Sequence, residues 1–234
     1  MRKLQIGIIP DGNRKYARKA ELSLLDSYIL GAKVAEKLVR HSLARGDVGR
    51  IVFYALAKSN LELRTKDEVD AILKGIKTGM DLFKKIRRVS VSCFGDNSPE
   101  VVKDFFDIEQ DKDSTKLPIN LLINYSLQWD LETRPIRTNM LPALDLVIRP
   151  REYRLSGFLP IQSSNAQLYF PDCFWAEFTS AKFDRIIEDY KQNHSDRISG
   201  KWGNFKLGLS MVEIKTHQEL TCHEPMHLFY PKIT

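Results

Sequence analysis

The fold is decided by the stretch Leu4-Gln5-Ile6-Gly7-Ile8-Ile9-Pro10-Asp11-Gly12-Asn13. Leu4 to Ile9 form a short apolar run of the kind found in strands that are buried on both faces of a parallel sheet. Pro10 to Asn13 are residues that form turns, so the run ends at a sharp change of chain direction. The sequence thus predicts a first strand that carries the Asp11 carboxylate at its carboxyl end.

Further apolar runs of strand length follow, and helical patterns separate them. A pattern with Val34, Leu38 and Ser42 on one side predicts a helix after Gly31. A capping box at Thr65-Lys66-Asp67-Glu68 predicts the start of a long amphipathic helix. Ser98-Pro99 predicts another helix start, with Ser98 as the N-cap. The remaining predicted strands are Ile51 to Leu56, Val89 to Phe94, Ile119 to Ile123, Leu144 to Ile148 and Leu168 to Phe170, and Lys182 to Gln192 predicts a closing helix.

Strands that alternate with helices indicate an α/β fold with a mostly parallel central sheet and helices on both faces. Ligands of such sheets bind at the carboxyl ends of the strands, which selects the loops after Ile9, Leu56, Ile123 and Ile148. The chain has 234 residues, of which 43% are apolar, and this fits one large core. We therefore expect one domain over residues 1–200, followed by a C-terminal arm over residues 201–234 where the alternation stops.

The charge of the chain favours an anionic ligand. The formal net charge is +6, with 36 basic residues interleaved among 30 acidic ones. No basic helix face with interleaved aromatic residues is present, so we do not expect nucleic-acid binding.

Cys93, Cys173 and Cys222 are too scattered for a disulfide framework, which indicates a reducing, cytoplasmic environment. Because no apolar stretch reaches about 18 residues, any membrane contact is expected to be peripheral.

Two segments carry residues that can bind a diphosphate. In the first, Arg14, Lys15 and the backbone amides of a helix start can hold the diphosphate, while Asp11 can hold the divalent cation that neutralises it. An ordinary Asp-Gly-Asn turn is the alternative interpretation.

The second segment is Arg149-Pro150-Arg151-Glu152-Tyr153-Arg154-Leu155-Ser156, directly after the fifth apolar run. Three guanidiniums and a hydroxyl can make several charge-assisted contacts to one diphosphate. A solvated basic loop is the alternative. The position of the segment at the end of a predicted strand favours a binding site.

A third group of residues, near the C-terminus, has the side chains of a zinc site but not its spacing. It consists of His217, Cys222, His223 and His227, and Pro225 interrupts the pattern. No second pair of ligands is present elsewhere, so we do not predict a zinc site.

Several short motifs follow one another along the chain. In order, they are Asp11-Gly12-Asn13, Asn60 after Tyr54-Ala55, Phe94-Gly95-Asp96, Asn124-Tyr125, Arg149 with Arg154-Leu155-Ser156, and Leu168-Tyr169-Phe170. Together they resemble a known family, the cis-prenyltransferases, also described as the undecaprenyl diphosphate synthase family. The resemblance runs from about Leu4 to Gly200.

The resemblance implies a role for each matching residue. Asp11 is expected to bind Mg²⁺ and, with Asn60, to act in catalysis. The residues implied in binding substrate diphosphates are Gly12, Asn13, Arg14 and Lys15 for the allylic substrate and Arg149, Arg154 and Ser156 for the homoallylic one. The resemblance also implies a homodimer, in which a C-terminal element completes the neighbour's site; Arg197-Ile198-Ser199-Gly200 is similar to that element. It further implies a lipid product, through which the protein can contact a membrane.

The chain departs from the family pattern at several of its polar positions. These are Tyr16, Leu24, Tyr28, Ala57, Leu61 and Gln167. Gln167 stands where the family has a second acidic residue, and an amide offers an oxygen but no charge. We therefore expect the allylic half and the metal site to be altered and the homoallylic half to be intact.

The resemblance implies a prenyltransferase that condenses an allylic donor with a second prenyl diphosphate and releases diphosphate. One alternative is head-to-middle condensation of allylic diphosphates to branched products. Another is a non-catalytic partner subunit of a heteromeric enzyme. A nucleotide-binding α/β protein is disfavoured, since the chain lacks the glycine-rich signatures of such proteins.

Overall fold

The computed structural model describes residues 2–107, 113 and 115–198, with side chains up to residue 193. The predicted C-terminal arm (201–234) and the histidine and cysteine group from His217 to His227 therefore lie outside the described residues. The side chains of the Arg197 to Gly200 element lie outside them as well.

Strands and helices alternate along the described chain. The strands are β1 (Leu4–Ile8), β2 (Val48–Ala57), β3 (Val89–Phe94), β4 (Leu117–Tyr125), β5 (Leu146–Ile148) and β6 (Gln167–Tyr169). The helices are α1 (Asn13–Lys19), α2 (Leu24–Arg45), α3 (Lys58–Leu63), α4 (Lys66–Lys84), α5 (Glu100–Lys103), α6 (Leu127–Leu131) and α7 (Ser180–Ile198), with a 3₁₀ turn at Trp175–Glu177.

The six strands form one sheet in the order β3-β4-β2-β1-β5-β6, and all neighbouring strands are parallel. Ile8 of β1 pairs with Phe53 of β2 on one side and with Ile148 of β5 on the other. Because the strands run in the same direction, the loops that begin with Ile9 and Arg149 leave the sheet at the same edge. The register therefore brings the two predicted diphosphate segments together.

Each face of the sheet has its own apolar cluster. The first cluster lies between the sheet and helices α2, α4 and α7, and it includes Leu38, Phe83 and Ile187. The second cluster lies on the opposite face, where Trp129 of α6 and the buried Phe158 cover the strands. The predicted α/β class with a parallel sheet and helices on both faces is thus confirmed.

Two predicted helix starts were wrong. Helix α2 begins at Leu24, before Gly31, because the Ser23 side chain accepts a hydrogen bond from the Asp26 amide at 3.0 Å and caps it. Helix α5 begins at Glu100 with Pro99 as its N-cap. Ser98 instead donates its amide to the Asp96 carboxylate at 3.0 Å, which forms a turn before the helix.

The Gly95-Asp96 and Asn124 motifs meet at the carboxyl ends of β3 and β4. Asn124 donates its side-chain amide to the Asp96 carbonyl at 2.7 Å. A Cβ atom on Gly95 would lie 1.7 Å from the carbonyl oxygen of Ile123, so only glycine fits there. Asp96 also faces Lys58, the first residue of α3, at 3.8 Å. These motifs therefore support the helix that carries Asn60.

No helix in the described part of the chain is both long enough and apolar enough to cross a membrane.

Candidate functional site

A cleft of about 430 Å³ opens at the carboxyl ends of β1, β2 and β5. All the site residues predicted from the sequence line it: Asp11, Gly12, Asn13, Arg14, Lys15, Asn60, Arg149, Arg154 and Ser156. Three segments from different parts of the chain, which follow β1, β2 and β5, thus converge on one site.

Arg149 links the two predicted diphosphate segments. Its Nε and Nη2 donate to Oδ2 of Asp11 at 3.2 and 2.6 Å, and its Nη1 donates to Ser156 Oγ at 2.8 Å and to the Arg154 carbonyl at 2.5 Å. The Arg149 side chain is only 5% exposed, whereas Asp11 is 34% exposed. Arg149 is therefore a fixed part of the wall, and Asp11 is the member of the pair that faces solvent.

The turn that carries Asp11 depends on glycine. Gly12 has φ of +95°, and a Cβ atom there would lie 2.8 Å from the ring of Phe174. The Gly12 amide donates to Oδ1 of Asp11 at 2.6 Å, and the Trp175 amide donates to the Asp11 carbonyl at 3.0 Å. Asp11 is thus held through both its carboxylate and its backbone carbonyl just before α1.

Most cations of the cleft are paired with carboxylates. Glu152 lies 3.1 Å from Arg154 and 3.6 Å from Lys15. Arg14 donates to Glu68 at 3.1 Å, and this ion pair lowers the pKa of Glu68. Anionic ligands would therefore enter a cleft in which the cations are already ordered.

Two further cations line the cleft: Arg64, which the sequence patterns did not single out, and Arg151, one of the three guanidiniums of the second predicted diphosphate segment. Arg64 donates to the Tyr28 hydroxyl at 2.8 Å. The guanidinium of Arg151 lies 4.5 Å from the centre of the Phe174 ring, and Arg151 has φ of +66°. In the sequence, Arg64 follows Asn60 and directly precedes the Thr65 capping box. This position does not predict that Arg64 lies in the cleft, which depends on the fold.

Asn60 is the third residue of α3 and is partly buried in the cleft wall. Its side chain makes no hydrogen bond within the described residues. Its amide can therefore donate to or accept from a ligand.

The residues that depart from the family pattern divide into two groups. Tyr28 and Ala57 line the cleft. Tyr16, Leu24, Leu61 and Gln167 are not among the described residues that line it. Gln167 pairs with Leu146, two residues before the end of β5, and its Oε1 accepts a hydrogen bond from the Tyr169 hydroxyl at 2.8 Å. Within this chain, Gln167 is thus engaged away from the cleft wall.

Both phenols of the cleft are neutral at physiological pH. Burial raises the pKa of Tyr28, against a smaller opposing effect of Arg64. Burial also raises the pKa of Tyr54 to about 12, although Arg149 acts in the opposite direction. Tyr28 and Tyr54 can therefore position ligands through hydrogen bonds or packing but do not supply charge.

An apolar pocket of about 80 Å³ adjoins the cleft between α2, α4 and the sheet. Four residues line both spaces: Pro10, Asn13, Tyr28 and Ile72. The two spaces therefore meet beside the turn that carries Asp11.

The donor set suits a hard divalent cation that is shared with a phosphate ligand. The described residues contain no group of three or more histidine, cysteine or acidic side chains that could enclose a metal by themselves. Mg²⁺, however, is commonly bound through one or two carboxylates together with substrate phosphates. Oδ2 of Asp11 accepts two hydrogen bonds from Arg149, whereas Oδ1 accepts one from the Gly12 amide and keeps a further lone pair, so Asp11 fits this role through Oδ1.

Two solved structures share this fold. Lavandulyl diphosphate synthase from Lavandula x intermedia, solved in complex with dimethylallyl diphosphate, has a TM-score of 0.65 and 20% identity, with 80% of this chain and 94% of that chain covered. A probable undecaprenyl diphosphate synthase from Campylobacter jejuni has a TM-score of 0.63 and 23% identity, with 82% and 96% covered. At these identities the similarity concerns the fold alone.

Sequence comparison identifies the family. An isoprenyl transferase of Fusobacterium nucleatum is 31% identical over 80% of this chain and 92% of its own length. A tritrans,polycis-undecaprenyl-diphosphate synthase (geranylgeranyl-diphosphate specific) of Thermoplasma acidophilum is 30% identical over 80% of this chain and 85% of its own length. The family model described as "Putative undecaprenyl diphosphate synthase" matches residues 9–134 and 132–198. The chain therefore belongs to the undecaprenyl diphosphate synthase family of prenyltransferases.

Proposed function

We propose that this protein transfers the prenyl group of an allylic diphosphate to a second prenyl diphosphate and releases inorganic diphosphate. The observation that carries the proposal is the Asp11–Arg149 ion pair, which joins two cationic segments in one cleft. Each segment has the residues to hold one diphosphate. The ion pair lies between them, where a reaction between two bound substrates would occur.

The donor diphosphate is assigned to the α1 side of the cleft. The amides at the start of α1 and the side chains of Arg14, Lys15 and Arg64 are available to it. As the allylic carbon–oxygen bond breaks, negative charge grows on the leaving diphosphate. These donors stabilise that charge, which lowers the barrier to ionisation.

The acceptor diphosphate is assigned to Arg149, Arg154 and Ser156. Arg149 orders this half because it binds the Ser156 hydroxyl and the Arg154 carbonyl. Asn60 is assigned to the acceptor side, where its unpaired amide can orient the diphosphate. Fixing both substrates places the acceptor double bond beside the allylic carbon, and such orientation is a large part of catalysis.

Asp11 would hold Mg²⁺ together with substrate phosphate oxygens. When bound, the ion supplies positive charge that stabilises the departing diphosphate.

The test is turnover by the pure protein with isopentenyl diphosphate and a series of allylic diphosphates. Chelation of magnesium by EDTA and the substitution Asp11→Ala are each expected to abolish product. Asp81→Asn removes an exposed carboxylate of α4 that is remote from the cleft lining and serves as the control. Normal turnover in either the chelated protein or the Asp11→Ala variant would refute the mechanism.

Head-to-middle condensation is the second candidate, and one observation favours it. Tyr28 and Ala57 replace family residues within the cleft itself, so the acceptor can be seated differently and expose another carbon. NMR of the product obtained with dimethylallyl diphosphate alone would decide: a branched product supports this candidate, and a linear cis product that forms only with isopentenyl diphosphate excludes it. A chain that forms no product but raises the activity of a co-expressed relative would instead be a partner subunit.

We further infer a homodimer in the cytoplasm that contacts membranes only through its lipid product. The family resemblance supports the dimer, and the few scattered cysteines support the compartment. Residues 201–234 are assigned to the dimer contact. Light scattering of the full chain and of a chain that ends at Gly200 tests this assignment, since the shorter chain is expected to dissociate.

A further inference from the structure

We infer that the apolar pocket restricts the allylic donor to a single isoprene unit, so that dimethylallyl diphosphate is the preferred donor. This inference rests on the proposed function and specifies its substrate. Relatives of this chain include enzymes named as specific for farnesyl or geranylgeranyl diphosphate, and this chain is expected to differ from them.

The size of the pocket sets the limit. Its volume is about 80 Å³. An apolar cavity of about 150 Å³ in another protein holds benzene, which has six carbons. The pocket has about half that volume, so it holds a five-carbon dimethylallyl group only if the part next to the diphosphate lies in the adjoining cleft, and it has no space for the ten further carbons of a farnesyl group.

The side walls of the pocket are fixed by contacts between α2 and α4. A Cβ atom on Gly75 would lie 2.7 Å from Cβ of Tyr28, so the backbone of α4 at Gly75 packs directly against Tyr28 of α2. Ala32 and Ala35 of α2 and Gly79 of α4 continue the same walls. Because these residues have little or no side chain, the pocket can widen at their positions only if the helices move apart.

Aromatic side chains form one wall of the pocket. Phe83, the lining residue of α4 furthest along the helix from the entrance residue Ile72, is 2% exposed and stacks on Phe53 with a ring distance of 5.9 Å. Trp175 lies nearer the entrance, since it and Asn13 are both 3.0 Å from the Cβ position of Gly31, and its indole donates to the Gly31 carbonyl at 2.9 Å and contacts Phe53 edge to face. Each ring is held by another ring or by a hydrogen bond, so this wall is part of the packed core.

The entrance places the pocket at the donor half of the cleft. Asn13, which belongs to the turn of Asp11, and Tyr28, which binds Arg64, line both spaces. A diphosphate held by Arg14 and Arg64 would thus present its prenyl chain to the pocket. The acceptor residues Arg149, Arg154 and Ser156 do not line it.

The experiment compares kcat/KM for dimethylallyl, geranyl and farnesyl diphosphates, with isopentenyl diphosphate as the common acceptor. Farnesyl diphosphate is expected to be at least about tenfold poorer than dimethylallyl diphosphate, because even one unaccommodated methylene can cost that factor. Equal or better use of farnesyl diphosphate would overturn the inference and leave the proposed function intact.

Three variants test whether this pocket sets the donor chain length that the protein accepts. Ile76→Ala enlarges the pocket and is expected to narrow the difference between donors. Leu73→Ala is its matched control, since Leu73 is also a partly buried residue of α4 but does not line the pocket. Gly79→Ala fills space without a clash, because its Cβ would lie 3.6 Å from Cβ of Ala32. It is expected to raise KM for dimethylallyl diphosphate and leave KM for isopentenyl diphosphate unchanged.

Measurement of donor affinity distinguishes a failure of the proposed pocket limit from a failure of the proposed prenyl transfer. Calorimetry with the unreactive thiolodiphosphate analogues of the three donors needs no turnover. Affinity that falls with chain length in the native protein, and falls less in Ile76→Ala, supports the pocket limit even if no product forms. Affinity that rises from the five-carbon to the fifteen-carbon analogue overturns it.

Discussion

At the scale of single residues, Arg149 decides how the cleft is built. It is buried, and it binds a carboxylate from the end of β1 and a hydroxyl from its own loop. A lysine could not replace it, since one ammonium lacks the planar array of donors that meets Asp11 and Ser156 together. The two diphosphate segments are therefore joined by the geometry of one guanidinium.

Ser156→Ala tests this arrangement with little risk to the fold. The change removes one of the two acceptors of Arg149 Nη1 and takes one hydroxyl from the half of the cleft assigned to the acceptor diphosphate. A hydrogen bond to a charged group contributes about 1.5 kcal/mol or more, so we expect KM for isopentenyl diphosphate to rise roughly tenfold.

Ser164→Ala is the control for this experiment, since its exposed hydroxyl donates to the Ile161 carbonyl outside the cleft lining. Steady-state kinetics of both variants provide the measurement. An unchanged KM in Ser156→Ala would remove Ser156 from the proposed acceptor half.

At the scale of elements, the loops after β3 and β4 brace the helix that carries Asn60. Gly95 passes so close to the Ile123 carbonyl that a Cβ atom would overlap it at 1.7 Å. Asp96, the residue after Gly95, forms an ion pair with Lys58 at the start of α3. The motif Phe94-Gly95-Asp96 is thus explained by backbone packing, and none of its residues is among the described residues that line the cleft.

Gly95→Ala is expected to destabilise the protein by more than about 4 kcal/mol, because backbone must move to admit the new carbon. Gly46→Ala is the matched control. Gly46 has φ of +76° but nothing lies within 4 Å of its Cβ position, so only the backbone conformation costs energy, about 1 kcal/mol. Urea unfolding of both variants measures the difference, and equal losses would show that the contact with Ile123 is unimportant.

The elements also show what sequence patterns can predict. The strand centres and the Thr65 capping box were predicted from local signals, namely apolar runs and a paired Thr and Glu. The start of α2 was missed because Gly31 was interpreted as a boundary. Its small size serves a distant contact instead, since Asn13 and Trp175 both lie 3.0 Å from its Cβ position.

At the scale of the whole molecule, the predicted site residues were brought together by strand order. Their loops follow β1, β2 and β5, and the order of a parallel sheet follows from topology rather than from any local pattern. Arg64, Arg151 and Glu152 were harder to assign, since their roles depend on partners distant in sequence or on a side-chain orientation. The pocket beside the cleft could not be predicted, because its volume depends on how α2 packs against α4.

The charge of the cleft predicts a dependence on salt. Six cations line it: Arg14, Lys15, Arg64, Arg149, Arg151 and Arg154. Asp11 and Glu152 are the acidic residues among the described residues of the lining. Attraction of diphosphates to such a surface is screened as ionic strength rises.

An increase from about 0.05 M to about 0.5 M sodium chloride is therefore expected to raise KM for both substrates several-fold. The unfolding midpoint, followed over the same salt range, shows whether the fold itself is affected. A KM that does not change with salt would mean that the cationic lining does not attract the substrates.

Glu152 gives the cleft an internal counter-ion. Its carboxylate lies within 4.0 Å of Lys15, which belongs to α1, and of Arg149 and Arg154, which belong to the loop after β5. In the free protein this carboxylate offsets the mutual repulsion of the three cations, so the fold does not need a bound anion to keep them close. A diphosphate that binds in the cleft therefore takes the place of the Glu152 carboxylate. It replaces ion pairs that the three cations already form within the free protein.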